Sequence, residues 1–269
     1  MRPVATAISP SGCARRRPSA SPALLIDVPH RLHRAGSHPT RRRTQRGRSD
    51  LCRGSLGAVY GAIAVTTLEP FEYILLENAA YLVDDHRRWR TFQTLREKIG
   101  VTPEAILRRN VSDLAGVIAE GGMRPEMRAE KLLECARLAM AIGVDRLNAA
   151  VRHREPAAKG LLRQFPGVGE PYADRILLLA GGEPCLAPDS NALRVLTRLG
   201  YIREQKTYAQ TYRAAVHAAQ EDLHETEAVV AAHALLRRHG QEICKRSEPR
   251  CGLCPLRSVC SWYQQAGSA

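Results

Sequence analysis

The sequence predicts an all-α protein built as two lobes, and three observations carry that expectation. Apolar residues beyond about residue 50 recur three and four apart, as in Met127 to Ile142 (MRAEKLLECARLAMAI), which gathers them on one helix face. Helix punctuation is frequent: Thr102-Pro103-Glu104 supplies a cap, a first-turn proline and an acid facing the dipole. Alternating β-branched runs bounded by turn dipeptides are missing.

Taken in order, AILRR after Glu104 opens one helix, and Met127 to Ile142 makes a second that stops at Gly143. Ala157 to Phe165 is a short helix closed by Pro166-Gly167, and Pro171 to Ala180 is stopped by Gly181-Gly182. Asp189 to Leu199 follows Pro188 and ends at Gly200, with further helices over Tyr208 to Asp222 and Glu225 to Arg238. The body should hold roughly ten short helices. Upstream, EPFEYILLENAAYLVDD spaces Tyr73, Ile74, Glu77 and Tyr81 three or four apart, so a carboxylate interrupts an apolar stripe.

The chain has 269 residues, a formal net charge of +13 and a pI near 9.8, a balance that calls for an anionic partner, nucleic acid first. The charge is uneven: residues 1 to 50 hold 11 Arg and 2 Asp, net +9, which leaves 29 basic and 25 acidic residues, net +4, for the other 219. That Ser, Pro and Arg-rich start cannot bury enough apolar surface to fold alone and is expected to be disordered. It reads as an organelle transit peptide, a basic arm for DNA, or an extension from a misplaced start codon. The compartment follows that choice: organellar in the first case, cytoplasmic and nucleoid-associated in a bacterium otherwise. No run of about 18 apolar residues is present to span a bilayer, so no membrane partner is expected.

Of eight cysteines, Cys13, Cys52, Cys135 and Cys185 are scattered, while Cys244, Cys251, Cys254 and Cys260 crowd into CKRSEPRCGLCPLRSVC. The spacing C-x6-C-x2-C-x5-C has a single short knuckle, which favours a [4Fe–4S] cluster over zinc and either over disulfides. Lys245, Arg246 and Arg250 lie between the first ligands, where a pinned basic loop can touch a phosphate backbone or stay solvated.

FPGVG (Phe165 to Gly169), APDSNALRVLTRLG (Ala187 to Gly200) and HGQEIC leading into the four cysteines stand in the order and at the separations of the iron–sulfur helix-hairpin-helix DNA glycosylases. From about Leu51 to Tyr263 the chain resembles their endonuclease III and mismatch glycosylase branch. The resemblance implies a [4Fe–4S] cofactor, a monomer, and a partner that is double-stranded DNA bearing a damaged or mismatched base. It implies lobes formed by 51–83 with 186–269, holding the cluster, and by 84–185, ending in the hairpin. Backbone amides at Gly167, Val168 and Gly169 would hold a DNA phosphate. Asp189 matches the catalytic aspartate that faces positive charge on the deoxyribose, although an N-cap role alone would also explain it. Glu77 matches a second acid that gives a proton to the leaving base, against the alternative of a glutamate paired with arginine. Leu82 matches the wedge that fills the gap left by an extruded base, or else is core. Tyr172 is placed to line the base pocket.

The chain departs from the pattern in four ways. Pro171 stands where bifunctional relatives carry the lysine that forms a Schiff base, so the usual lyase step should be missing. Glu170 puts a carboxylate beside the expected phosphate, a modest repulsion if it points to solvent. Gly121 to Ala129 carries an additional residue in a loop that approaches DNA in relatives, and no room remains after the cluster for the extra domain linked to adenine excision. The expected activity is therefore excision of a base without strand cleavage, with a lean toward uracil or thymine mismatches. The alternatives are a lyase using another amine, such as Lys159, and a catalytically silent DNA-binding iron–sulfur protein.

Overall fold

The computed structural model describes residues 54–266. The basic segment 1–50 and its expected disorder lie outside them. Helix α1 covers 54–60, and twelve more follow: α2 Pro70–Ala79, α3 Asp85–Lys98, α4 Pro103–Leu107, α5 Val111–Val117, α6 Pro125–Ile142 and α7 Val144–Arg152. The rest are α8 Ala158–Leu162, α9 Glu170–Gly181, α10 Ser190–Arg198, α11 Tyr208–Gln220, α12 Thr226–Glu242 and α13 Ser261–Ala266. Among the described residues no strand forms, and one isolated bridge joins Tyr81 to Gly122. No described helix is long and apolar enough to cross a membrane.

The caps follow local chemistry. Thr102, Asn110, Asp84, Asp189 and Thr207 each accept a backbone N–H at a helix start, satisfying donors that the first turn leaves free. Gly143 ends α6 at φ 86, a conformation that side chains disfavour.

Two hydrophobic cores form. The first draws on residues from Leu68 to Leu177, and the second joins Leu56 to residues from Leu178 to Cys260. Helix α9 serves both, with Leu177 in one and Leu178 in the other. The chain crosses between cores near 61–67 rather than at 83, because α2 is buried nearly all round through Phe71, Tyr73, Ile74, Leu75, Leu76 and Ala79. It packs against α3, α6, α7 and α9, so it belongs with the first core and not with 186–269.

Arg128 on α6 is the largest fully buried side chain. Its guanidinium donates to the carbonyls of Met123 (3.0 Å), Ile118 (2.9 Å), Gly122 (2.9 Å) and Ala79. One cation thereby ties the end of α2 to the Gly121–Met123 loop without any carboxylate. Glycine is required there: a Cβ on Gly121 would stand 2.4 Å from the Ala79 carbonyl oxygen, and one on Gly122 2.2 Å from that of Tyr81.

Candidate active site

The hairpin joins α8 to α9. Phe165 and Val168 are buried and anchor it, and Gly167 turns the chain at φ 77. Asn78, buried in α2, donates from Nδ2 to the Pro166 carbonyl (2.8 Å) and to that of Ile74 (3.0 Å). A Cβ on Gly167 would lie 2.8 Å from Asn78 Oδ1. The Val168 N–H donates to the Phe165 carbonyl (3.1 Å), so Val168 serves the core and cannot offer its amide to a phosphate. The Gly167 and Gly169 amides have no protein acceptor among the described residues, and these are the donors the turn presents. Replacing Gly167 by Ala should cost roughly 1–2 kcal/mol from its positive φ and weaken binding to undamaged and lesion duplexes alike. Thermal melts and duplex titrations check both.

Glu170 is not directed to solvent alone. Its carboxylate pairs with Lys159 (3.3 Å) and Arg213 (3.1 Å), and although burial works the other way, those two donors hold it below the usual carboxylate range. Lys159 also meets the buried Asp174 at 2.8 Å. Burial opposes its charge, but the bonds from Asp174 and Glu170 outweigh that and raise the Lys159 pKa. An ammonium held in this way is a poor amine nucleophile.

Glu77 and Asp189 sit on helices of different cores, and the charge of one arginine, Arg237, acts on both. Asp189 caps α10, accepting from Asn191 N (3.0 Å) and Ala192 N (2.8 Å), and Arg237 on α12 donates to its other oxygen. Arg237 also pairs with Asp85 at the start of α3, which Gln241 holds at 2.7 Å. Burial opposes the Arg237 charge, but Asp189, then Asp85 and Glu77, raise its pKa. Neither Asp85 nor Arg237 stands in a recognisable motif; only folding brings α3 and α12 together. His233, one turn before Arg237, bonds the Ala187 carbonyl (2.9 Å) and is pushed down to about 3 by burial, then by Arg175 and Arg237, so it is neutral.

Glu77 is partly buried and pairs with Arg88 at 3.1 Å. Burial raises its pKa despite the opposing fields of Arg88, Arg175, Arg237 and Lys131. It borders a cavity of about 320 Å³ together with Tyr81, Arg88, Arg124, Lys131 and Gly167, which puts the acid and the hairpin on one opening. Tyr172 reaches the Tyr73 carbonyl through its hydroxyl (2.8 Å), and burial raises its pKa. Leu82 is 71 % exposed with φ 57, a left-handed conformation that strains a leucine, so it is not core.

No disulfide joins the four C-terminal cysteines to one another or to other described residues. Cys254 and Cys251 are raised by burial first and then by the neighbouring cysteines of the same loop. Arg198 donates to Cys244 Sγ (3.5 Å) and to the Lys245 (2.7 Å) and Arg246 (3.1 Å) carbonyls. Among the described residues no three ligating side chains gather closely enough to hold a single metal ion. The donor set is nevertheless all sulfur, on one pinned loop, which suits an iron–sulfur cluster. Arg246 and Arg250 are exposed and Lys245 half-buried, without acidic partners among the described residues. Lys245 and Arg246 line a cavity of about 390 Å³ with Asp85, Asn191 and Arg194.

The helical fold joins a hairpin presenting two amides to an acid capping the next helix, and comparisons with known proteins bear on that arrangement. No family model matches the chain. It is 28% identical over 166 residues to endonuclease III of Thermotoga maritima, covering 62% of this chain and 71% of that protein. It is 30% identical over 112 residues to the thymine/uracil-DNA glycosylase of Pyrobaculum aerophilum, there spanning 41% of this chain and 49% of the relative. Among solved structures, a trapped endonuclease III–DNA covalent intermediate superposes with a TM-score of 0.66 at 21% identity, over 82% of this chain and 98% of that one. A thermostable thymine-DNA glycosylase gives 0.66 at 20%, over 83% and 98%. These likenesses support a place in the endonuclease III-like branch of the helix-hairpin-helix DNA glycosylase superfamily, whose named members among the relatives are DNA glycosylases.

Proposed function

We propose that this protein excises a damaged or mismatched base from duplex DNA and leaves the strand intact, acting as a monomer. The observation that carries the reading is the pair of carboxyl groups in contrasting surroundings: Glu77 raised by burial, Asp189 fixed by two helix amides and Arg237. The duplex is gripped by the Gly167 and Gly169 amides and by Lys245, Arg246 and Arg250, while Leu82 fills the space of the extruded base. Glu77 gives its proton to the base beside Tyr172. The C1′–N bond then breaks with its electron pair leaving on the base, and Asp189 faces the sugar cation. Water adds to C1′, and its proton returns to the Glu77 carboxylate. The products are the free base and an abasic site.

Cys244, Cys251, Cys254 and Cys260 would hold a [4Fe–4S] cluster, which when bound cross-links the basic loop. Two features support excision without a lyase step: Pro171 has no amine, and Lys159 is held as an ammonium by Asp174 and Glu170. The lean toward uracil or thymine opposite guanine rests on the two-acid pattern. Sodium borohydride treatment on abasic duplexes tests the reading, which expects no covalent adduct from wild type; a robust adduct lost in Lys159→Ala would favour a lyase.

The sign of the Glu77 shift sets a pH dependence. A raised carboxyl stays protonated to higher pH, so excision should fall as pH rises through that value. Glu77→Gln should be slower by roughly 10²-fold or more and lose this dependence. The native state also binds a proton that the unfolded chain releases, so the melting temperature of Glu77→Gln should improve relative to wild type as pH rises. A pH series of single-turnover rates and melts checks both directions.

A further inference from the structure

Three arginines stand among the candidate catalytic groups, and they are bonded very differently: Arg88 pairs with Glu77 (3.1 Å). Arg237 is saturated by Asp189 and Asp85. Arg175, on α9 behind the hairpin, has no hydrogen bond or ion pair to any described residue, and its Nε is buried without a partner. Its guanidinium carbon stands 5.6 Å from the centre of the Tyr172 ring. It lies close enough to Glu77, His233 and Asp85 to act on each of their charges. The two other side chains with an orphan buried atom, Arg96 and Asn148, are not among these groups, and Arg96 is paired with Glu72.

A guanidinium carries five donors and no acceptor; Arg175 is half-buried, and the one donor shut off from solvent, Nε, has no partner, which is costly. The ring face of Tyr172 balances part of the charge but accepts no in-plane N–H bond. The neutral His233 adds no competing charge. The other guanidinium donors, bonded to no described residue, are open to an acceptor-rich group that arrives with a substrate.

We propose that Arg175 is a specificity-determining residue that reads carbonyl oxygens on the flipped base, so that the substrate is a keto-bearing base such as uracil or thymine. This rests on the glycosylase reading and deepens it. The edge of such a base alternates carbonyl, N–H and carbonyl, so Arg175 donates to a carbonyl while the Glu77 carboxyl takes the neighbouring N–H or, on departure, supplies a proton. Adenine and its ethenoadduct, without a carbonyl, leave Arg175 unpaired, and an unpaired buried donor is what gives a polar site its discrimination.

The test uses the full-length protein, Arg175→Met and Arg175→Lys. Single-turnover excision is measured on duplexes with uracil, thymine, hypoxanthine, adenine or 1,N6-ethenoadenine, and affinity on a duplex carrying a tetrahydrofuran abasic analogue. Wild type should act on keto bases, with uracil and thymine separating a pyrimidine reader from a hypoxanthine reader. Arg175→Met should lose roughly 10- to 100-fold on them. Its affinity for the abasic duplex, which offers no base, should be unchanged, and Arg175→Lys should recover only part of the rate. Wild-type rates in Arg175→Met would overturn the proposal, as would preference for a base without a carbonyl. So would an equal loss of abasic-duplex affinity, which marks a structural role, or full rescue by lysine on every base, which marks a bare charge acting through Glu77. Should wild type excise no base while binding DNA, the glycosylase reading itself fails, a result distinct from an active enzyme indifferent to Arg175.

Discussion

Asp189→Asn should reduce single-turnover base excision by roughly 10³-fold while leaving duplex affinity near that of wild type. The substitution keeps shape and cap: asparagine is as good an N-cap as aspartate, and its oxygen can still accept from Asn191 N and Ala192 N. What it removes is the negative charge that faces the sugar cation. Arg237 retains Asp85 and Gln241-held geometry on its other side, so the fold should lose only modest stability. The comparison that isolates the charge is Asp189→Asn against wild type on rate, binding and melting in parallel. A variant that loses binding or folding in step with rate would mean that Asp189 is only a cap.

Arg128→Met should destabilise the protein by roughly 3–5 kcal/mol, the largest effect expected of any single change outside the hydrophobic cores. Methionine fills the buried stem but removes the donor to the Ala79, Ile118, Gly122 and Met123 carbonyls, of which, among the described residues, only Ile118 keeps another, the Gly121 N–H (2.9 Å). Those carbonyls hold the loop against which Tyr81 and Leu82 are placed, through the Tyr81 N–H to the Gly121 carbonyl (2.8 Å). Denaturant titration reads the stability, and surviving folded protein should show faster proteolysis near Leu82. A loss under about 1 kcal/mol would show that water replaces the guanidinium there.

The legible part of this molecule was its local chemistry. Thr102, Asp189 and Gly143 announced helix ends by residue type, and the structure uses each as a cap. Helix α3 was not placed, because DHRRWRTFQTLREK buries only Thr91, Phe92 and Leu95 and carries too thin an apolar stripe to stand out. Membership of α2 in the first core was also not legible, since apolar sequence tells that a helix is buried but not against what. The same limit applies to the site. Asp189 and Glu77 were found through their motifs, whereas Asp85, Arg175 and Arg237 are ordinary charges in their helices until folding brings their fields to bear on those two acids. Asn78 had a signal, a lone amide inside LLENAA, and Glu170 was read as a repulsive charge because Lys159 and Arg213 lie 11 and 43 residues away.

The most direct test of the account follows end-labelled lesion duplexes, uracil and thymine opposite guanine among them, with wild type and Asp189→Asn. Products are resolved with and without hot alkali. The account predicts that wild type makes alkali-labile sites in at least one duplex, with the strand whole until alkali is added, and that Asp189→Asn makes them at least a hundredfold more slowly, on the order set by loss of a transition-state charge contact. Strands cut before alkali would contradict excision without cleavage, and equal inactivity of both proteins across the panel, with DNA still bound, would contradict catalysis altogether.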